Sequence, residues 1–178
     1  WSEAGGGWCG GTLSGLTAKM DYLCKLGVTA LWVSPLFKQL KSENSYHGYG
    51  IQDFLGVDPH FGTAEELRAM VQAAHERGVY VILDIILNHT GNVFAYKHGD
   101  PKWDGNEHEV AGYRNAKGEP VLPFYTELPK SVSPDDAIWP RELQPHTTFA
   151  KRGSISNWDW YPEYLEGDFC TLKEVRLG

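Results

Sequence analysis

The sequence predicts an α/β fold with parallel strands, followed by a loop-rich segment. Residues 29–33 and 80–86 are apolar runs typical of strands, and a well-signalled helix lies between them. A strand, a helix and a second strand, with a short turn from the helix to the second strand, form a βαβ unit, which should be parallel and right-handed. After His89 helical periodicity disappears, and eight of the ten prolines lie within residues 101–162. This second part is therefore predicted to be an irregular subdomain.

The first predicted helix covers roughly residues 13–26 and ends at Gly27. Its apolar side chains recur at helical spacing: Leu13, Leu16, Met20 and Leu23. The strand at residues 29–33 follows and is ended by Ser34 and Pro35. Residues 36–62 then form a predicted long loop, and loops of that length in compact domains are usually functional.

The second helix has the clearest start signal in the chain. Thr63 and Glu66 have the spacing of a capping box, in which each side chain bonds the other residue's backbone N–H. Its apolar stripe is Leu67, Met70, Val71 and Ala74. Gly78 is the predicted stop.

The run from residue 79 to residue 87 is apolar except for Asp84. Such a run is typical of a parallel strand covered on both faces. A lone carboxylate there is costly unless it is paired or hydrogen-bonded. Asn88 and His89 follow, at the end of the strand where parallel α/β folds bind ligands.

Composition excludes several classes of partner. The chain has 178 residues, with 16 Lys and Arg against 23 Asp and Glu, so its net charge is −7. That acidity argues against a nucleic-acid or anionic-membrane partner. The sequence has no apolar stretch of about 18 residues, so it does not predict a membrane span. Cys9, Cys24 and Cys170 are an odd set without a C-x-x-C pair, so no disulfide framework is predicted. The sequence leaves the cellular compartment open.

Two segments carry candidate chemistry. In residues 46–50, glycines on both sides of Tyr49 would let the backbone pass close to a ligand while the ring lies flat; the alternative is a turn with two packed tyrosines. Asp84 and Asn88 could offer oxygens to a cation such as Ca²⁺, and His89 could donate a hydrogen bond or move a proton. The alternative there is a buried Asp holding backbone or an Arg, with Asn88 and His89 capping a loop. Two oxygens are too few to specify calcium, which takes six to eight.

A third segment, residues 58–63, is predicted to be structural. Pro59 fixes a turn, Gly62 permits a bend and Thr63 caps the helix.

Taken together, these segments resemble glycoside hydrolase family 13, the α-amylase family. The resemblance covers residues 10–91 and rests on four motifs in order. They are Gly15-Leu16 with Lys19-Met20-Asp21-Tyr22-Leu23 and Leu26-Gly27-Val28-Thr29-Ala30-Leu31-Trp32-Val33-Ser34-Pro35; Tyr46-His47-Gly48-Tyr49; Asp58-Pro59-His60-Phe61-Gly62-Thr63; and Asp84-x-x-x-Asn88-His89.

The resemblance implies a partial (β/α)₈ TIM barrel. Residues 13–26 would be the first barrel helix, residues 29–33 the second strand and residues 80–86 the third. Residues 1–90 would then belong to the catalytic barrel, and residues 91–178 to the irregular insertion that the family places after its third strand.

The resemblance also implies roles for the candidate site residues. Tyr49 would stack on the sugar whose bond is cut, and His89 would hydrogen-bond that sugar. Asp84 would brace the site, and His47 would support it. The substrate would be an α-glucan or α-glucoside.

Calcium is the cofactor that the resemblance suggests. Asn88 stands where the family has a calcium ligand, and it would help to hold either calcium or the insertion at residues 91–178. Residues 172–175 look like a degraded Leu-Pro-Asp-Leu segment, in which Glu174 stands where many members have a calcium-binding Asp. That departure leaves calcium binding open.

The family's catalytic carboxylates find no match in this sequence. A full barrel takes about 250 residues, and the family places its nucleophile, its acid and a third Asp on later strands. The sequence is thus expected to be part of a retaining α-glucan-active hydrolase, transglycosidase or isomerase, inactive alone and with no catalytic residue of its own. The alternative is a non-catalytic partner-binding module, such as the ectodomain of an amino-acid transporter heavy chain. Tyr49, Asp84, Asn88 and His89 favour the enzyme.

Overall fold

The computed structural model describes residues 7–8 and 10–176; Cys9 lies outside them. The α-helices are α1 (Leu13–Ala18), α2 (Met20–Lys25), α3 (Ala64–His75) and α4 (Glu163–Glu166). The strands are β1 (Ala30–Val33), β2 (Phe37–Gln39), β3 (Ile51–Val57), β4 (Tyr80–Leu83), β5 (His89–Thr90), β6 (Phe94–Tyr96), β7 (Val110–Tyr113) and β8 (Lys173–Glu174). Two short 3₁₀ helices, Arg141–Leu143 and His146–Thr148, complete the set.

The predicted βαβ unit is confirmed. Strands β1 and β4 pair in parallel, with Ala30 opposite Tyr80 and Val33 opposite Leu83. Helix α3 connects them and begins with the predicted capping box. The Thr63 hydroxyl accepts the Glu66 N–H at 3.1 Å, and the Glu66 carboxylate accepts the Thr63 N–H at 2.7 Å.

The single first helix predicted for residues 13–26 is wrong in one respect, because the structure divides it into α1 and α2. The break lies at Lys19, whose φ of −96° and ψ of 2° leave the helical region. Its N–H bonds the Leu16 carbonyl at 3.0 Å, which is the tighter i→i−3 spacing. Gly27, with φ of 86°, follows the end of α2 as predicted.

The loop predicted for residues 36–62 is also corrected. It contains an antiparallel pair, β2 with β3, in which Gln39 lies opposite Ile51 and Lys38 opposite Asp53. The sequence signal is weak because β2 has three residues and the register shifts on both sides of Lys38. A bulged pair does not produce regular alternation of apolar and polar residues.

The strand predicted for residues 80–86 ends early, at Leu83. The Asp84 N–H still bonds the Val33 carbonyl at 2.9 Å, and the chain then leaves the ladder. The expected cover on both faces is not found among the described residues. Val81 packs towards α3, whereas the following large side chains are exposed: Trp32 75%, Tyr80 73%, Ile82 52%, Ile85 57% and Leu87 65%.

Two apolar cores organise the described chain. The barrel-like core lies between α3 and the helices and strands before it, with Leu13, Met20, Met70, Ala74 and Val79 at its centre. The second core belongs to the irregular segment and is rich in aromatic rings: Val93, Phe94, Tyr96, Val110, Tyr113, Phe124, Leu128, Ala137, Ile138 and Phe149, together with Leu40 from the hairpin. Because Leu40 and the partly buried Phe54 join this core, the β2–β3 hairpin connects the irregular segment to the βαβ unit. The division at residue 90 stays a prediction.

Within residues 7–8 and 10–176, we find no helix with the length and hydropathy of a membrane-crossing segment.

Candidate functional site

The Tyr49 side chain is fixed at the carboxyl end of the parallel pair. Its hydroxyl donates a hydrogen bond to Asp84 Oδ2 at 3.0 Å, and Asp84 directly follows β4. This bond raises the pKa of the Tyr49 phenol, because the neighbouring carboxylate favours the protonated form. Asp84 is therefore neither buried without a partner nor paired with an Arg: it holds the ring of Tyr49.

His47 supports the same ring from the other side of Gly48. Its Nδ1 accepts the Tyr49 backbone N–H at 3.0 Å, and the two rings stack with centroids 5.8 Å apart and an interplanar angle of 22°. Partial burial lowers the pKa of His47, while the charge of Glu43 acts in the opposite sense. A neutral imidazole is what this acceptor role requires.

The glycines around Tyr49 are needed for packing against the protein itself. At Gly48, where φ is 86°, a Cβ atom would lie 2.4 Å from the Pro35 carbonyl oxygen. At Gly50 it would lie 2.4 Å from the Ser45 hydroxyl oxygen. The close approach predicted towards a ligand is thus, in the described chain, an approach to Pro35 and Ser45.

His89 lies on β5, opposite Glu174 of β8. It is 7% exposed, and its Nε2 has no hydrogen-bond partner among the described residues. Its Nδ1 lies 3.3 Å from the Asn88 amide nitrogen. Burial lowers the pKa of His89, with the Tyr49 backbone acting against that shift and His47 adding to it. His89 is consequently held as a neutral ring with one unsatisfied nitrogen.

Tyr49, His47 and His89 line one cavity of about 530 Å³. This volume is within the range of small-molecule sites. Asp84 is not part of its wall and reaches it through the Tyr49 hydroxyl. The remaining wall residues are Glu43, Ser45, Ile86, Phe169, Cys170, Thr171 and Leu172.

Sequence reasoning missed the wall formed by residues 169–172. These residues carry no motif; the nearest signal was their position just before the Leu172–Val175 segment. A larger cavity of about 860 Å³ lies between α1 and β1, but none of the predicted site residues lines it.

Asn88 and Glu174, the predicted calcium ligands, do lie together. Burial, with the charge of Asp168, raises the pKa of Glu174 to about 8, and a hydrogen bond from Asn88 opposes the rise. Within the described residues no group of three or more His, Cys, Asp or Glu side chains could hold a metal ion. Two side-chain oxygen donors do not meet calcium's need for six to eight, so the described donor set does not fit calcium.

A parallel strand–helix–strand unit with polar side chains around a cavity at its strand ends is typical of enzyme domains of the α/β class. The α-amylase catalytic-domain family model matches residues 2–152. The chain therefore belongs to the α-amylase family, as the sequence motifs indicated.

Curated relatives match about half of this chain. An α-amylase of Streptomyces lividans is 44% identical over 95 residues, covering 49% of this chain and 10% of the relative. A β/α-amylase of Paenibacillus polymyxa is 44% identical over 85 residues, covering 48% of this chain and 7% of the relative. The chain thus spans a tenth or less of the length of these two relatives.

Solved structures extend the likeness to almost all of the chain. The α-amylase of Geobacillus thermoleovorans, in complex with acarbose, superposes with a TM-score of 0.65 at 28% identity, covering 98% of this chain and 29% of that protein. The cyclomaltodextrin glucanotransferase CldA superposes with a TM-score of 0.62 at 30% identity, covering 94% of this chain and 30% of that protein. The fold is accordingly that of part of an α-amylase-type barrel enzyme.

Proposed function

We propose that residues 1–178 form the N-terminal part of the catalytic domain of a retaining α-glucan-active enzyme, a hydrolase or a transglycosidase. In this proposal α1 and α2 are the first barrel helix, β1 is the second barrel strand and β4 is the third. Residues 1–90 belong to the barrel, and residues 91–178 are the insertion that follows its third strand. The structural neighbours include both an amylase and a glucanotransferase, so the proposal includes both hydrolysis and glucan transfer.

The observation that carries the proposal is the assembly around Tyr49. A ring held by Asp84, supported by His47 and facing the same cavity as His89 is a suitable platform for a sugar. The buried Nε2 of His89 needs a hydrogen-bond partner, because buried polar groups are satisfied in native proteins. A sugar hydroxyl in the cavity would supply one. A module that only docks a partner protein has no need of this arrangement.

These side chains bind and orient; they do not break the bond. In the tautomer in which His89 Nδ1 accepts from the Asn88 amide, Nε2 carries the proton and is the atom that can donate to a ligand. Tyr49 offers its ring face, and Asp84 prevents that ring from turning. Retention of configuration needs two carboxyl groups about 5 Å apart, which the proposal assigns to later strands of the same polypeptide.

The test uses the parent polypeptide, meaning the protein that carries residues 1–178 together with the later barrel strands. Tyr49→Ala should lower kcat/KM on maltooligosaccharides more than tenfold, a loss above about 1.4 kcal/mol of transition-state binding. Steady-state kinetics would measure it.

Tyr49→Phe is the matched control, since it keeps the ring face and removes only the hydroxyl bonded to Asp84. It should do much less harm than Tyr49→Ala. Equal damage from both variants would remove the stacking role. A parent polypeptide without turnover on starch, maltooligosaccharides or an aryl α-glucoside would favour the non-catalytic module.

A further inference from the structure

Lys173 is a buried cation that the proposed activity does not use. Its side chain and that of Asp168 are each 1% exposed, and Lys173 Nζ lies 3.3 Å from Asp168 Oδ2. The ammonium also lies 4.7 Å from the ring centre of Tyr96 and 5.1 Å from that of Phe94. Both distances are within the range of cation–π attraction, which strengthens when the cation is removed from water.

Asp168 is an acceptor for donors from several segments. Tyr96 Oη donates to Oδ2 at 2.7 Å, and the Glu174 N–H donates to Oδ1 at 3.0 Å. The Tyr96 hydroxyl in turn accepts the Gly153 N–H at 3.1 Å. Burial raises the pKa of Asp168, and the Lys173 ammonium, the Glu174 N–H and the Tyr96 hydroxyl oppose that rise by stabilising the carboxylate. Its negative charge is then buried and needs a compensating cation.

This network lies where the irregular segment meets the strand that carries His89. Lys173 is on β8 and pairs with Thr90 of β5, next to His89 and Glu174. Tyr96 comes from β6, and the Asp168 backbone bonds residues 153 and 155. A cation at this point therefore holds several separate pieces of chain together.

The same place is where the family resemblance suggested calcium. Asp168 lies directly beside Glu174, whose backbone N–H donates to Asp168 Oδ1 at 3.0 Å. Asp168 is already neutralised by Lys173. The ammonium thus meets the electrostatic need that a structural metal would otherwise meet.

We infer that Lys173 is the built-in structural cation of this junction, and that the junction folds without a divalent metal. This inference does not depend on the proposed catalytic activity, because its readout is stability.

The experiment is thermal unfolding of the parent polypeptide, followed by circular dichroism, in excess calcium and in chelator. The wild-type midpoint should be the same in both, since a ligand that binds only the folded state would raise it. Lys173→Met leaves the Asp168 carboxylate buried and unpaired, and should lower the midpoint by more than about 5 °C.

Lys97→Met is the matched control. Lys97 also pairs with a carboxylate, that of Glu109 at 2.9 Å, but the two side chains are 57% and 67% exposed. Exposed pairs contribute little to stability, so this variant should unfold close to the wild type. The double variant Lys173→Met with Asp168→Asn removes both charges and should recover part of the lost stability. It can be compared with the wild type even if Lys173→Met alone is too unstable to purify.

Three results would overturn the inference: a wild-type midpoint that rises with calcium and falls with chelator, a Lys173→Met shift no larger than that of Lys97→Met, or a double variant without recovery. The first would assign the cation to a bound metal. The others would show that the buried ion pair is not what holds the junction.

Discussion

At the scale of single residues, the position of Tyr49 is determined from three directions. Asp84 bonds its hydroxyl, His47 bonds its backbone N–H, and Gly48 and Gly50 permit the close backbone packing on either side. Such convergence restricts the ring before any ligand arrives, which lowers the entropy that binding would otherwise cost.

His47 should make sugar binding sensitive to acid. Its lowered pKa keeps Nδ1 free to accept the Tyr49 N–H at neutral pH. As the pH falls, His47 of the unfolded chain takes up a proton near its ordinary pKa of 6.5, whereas His47 of the folded chain does so only at a lower pH. The contribution of neutral His47 to the stability of the folded chain is therefore present above pH 6.5, and it is lost as the pH falls through the lower pKa of the folded state. In the parent polypeptide, kcat/KM should fall over the same interval.

His47→Asn keeps an acceptor at the δ position but does not titrate, so the acid-side fall should become smaller. His47→Leu has no acceptor, and should lower kcat/KM about fivefold at neutral pH, equivalent to one hydrogen bond of about 1 kcal/mol. A pH–rate profile of the three proteins measures both effects. A His47→Leu pH–rate profile that coincides with that of the wild type would show that the hydrogen bond from the Tyr49 N–H to His47 does not affect kcat/KM.

At the scale of elements, the site depends on the turn between the two strands of the β2–β3 hairpin. This turn carries His47 and Tyr49 and passes close to Pro35, which follows β1. The contact between Gly48 and Pro35 thus fixes the position of the hairpin turn relative to the parallel strands.

Gly48 and Gly27 form a matched pair for testing this contact. Both have φ of 86°, but a Cβ atom at Gly27 would meet nothing within 4 Å. Gly27→Ala should cost only the left-handed backbone strain, about 1–2 kcal/mol. Gly48→Ala adds the overlap with the Pro35 carbonyl, so it should destabilise more and also displace Tyr49.

Urea unfolding and steady-state kinetics of the parent polypeptide would separate the two effects. Gly48→Ala should lower kcat/KM at least tenfold, about 1.4 kcal/mol, whereas Gly27→Ala should leave activity near the wild-type value. Equal losses in both variants would mean that backbone strain alone, and not the contact with Pro35, accounts for Gly48.

At the scale of the whole molecule, the parallel pair leaves an open apolar surface. Trp32, Tyr80, Ile82, Ile85 and Leu87 are each more than half exposed in the described chain. Open apolar faces and unpaired strand edges promote association. Further barrel strands and helices would cover this surface in the proposed parent.

Residues 1–178 expressed alone should therefore be poorly soluble or marginally folded, and should neither hydrolyse nor transfer glucans. The assay offers starch, maltooligosaccharides and an aryl α-glucoside to the purified segment, with its Tyr49→Ala variant as the control. Turnover well above background, lost in that variant, would place the catalytic carboxylate pair inside this chain.

The sequence by itself determined the βαβ unit and the capping box at Thr63 and Glu66. It could do so because these features depend on short-range patterns, namely apolar periodicity, cap chemistry and the change from strand to loop. The family motifs are likewise local, so they indicate the family without information on long-range contacts.

Only the tertiary structure decided what those residues contact. The bond from Tyr49 to Asp84 joins residues 35 positions apart, and the ion pair of Lys173 with Asp168 is completed by Tyr96, 72 positions before Asp168. The β2–β3 hairpin escaped prediction because its bulged register hides the alternation, and the cavity wall at residues 169–172 carries no motif. Such contacts arise from packing between segments distant in sequence, and local patterns hold no information about which distant segment will fill the space.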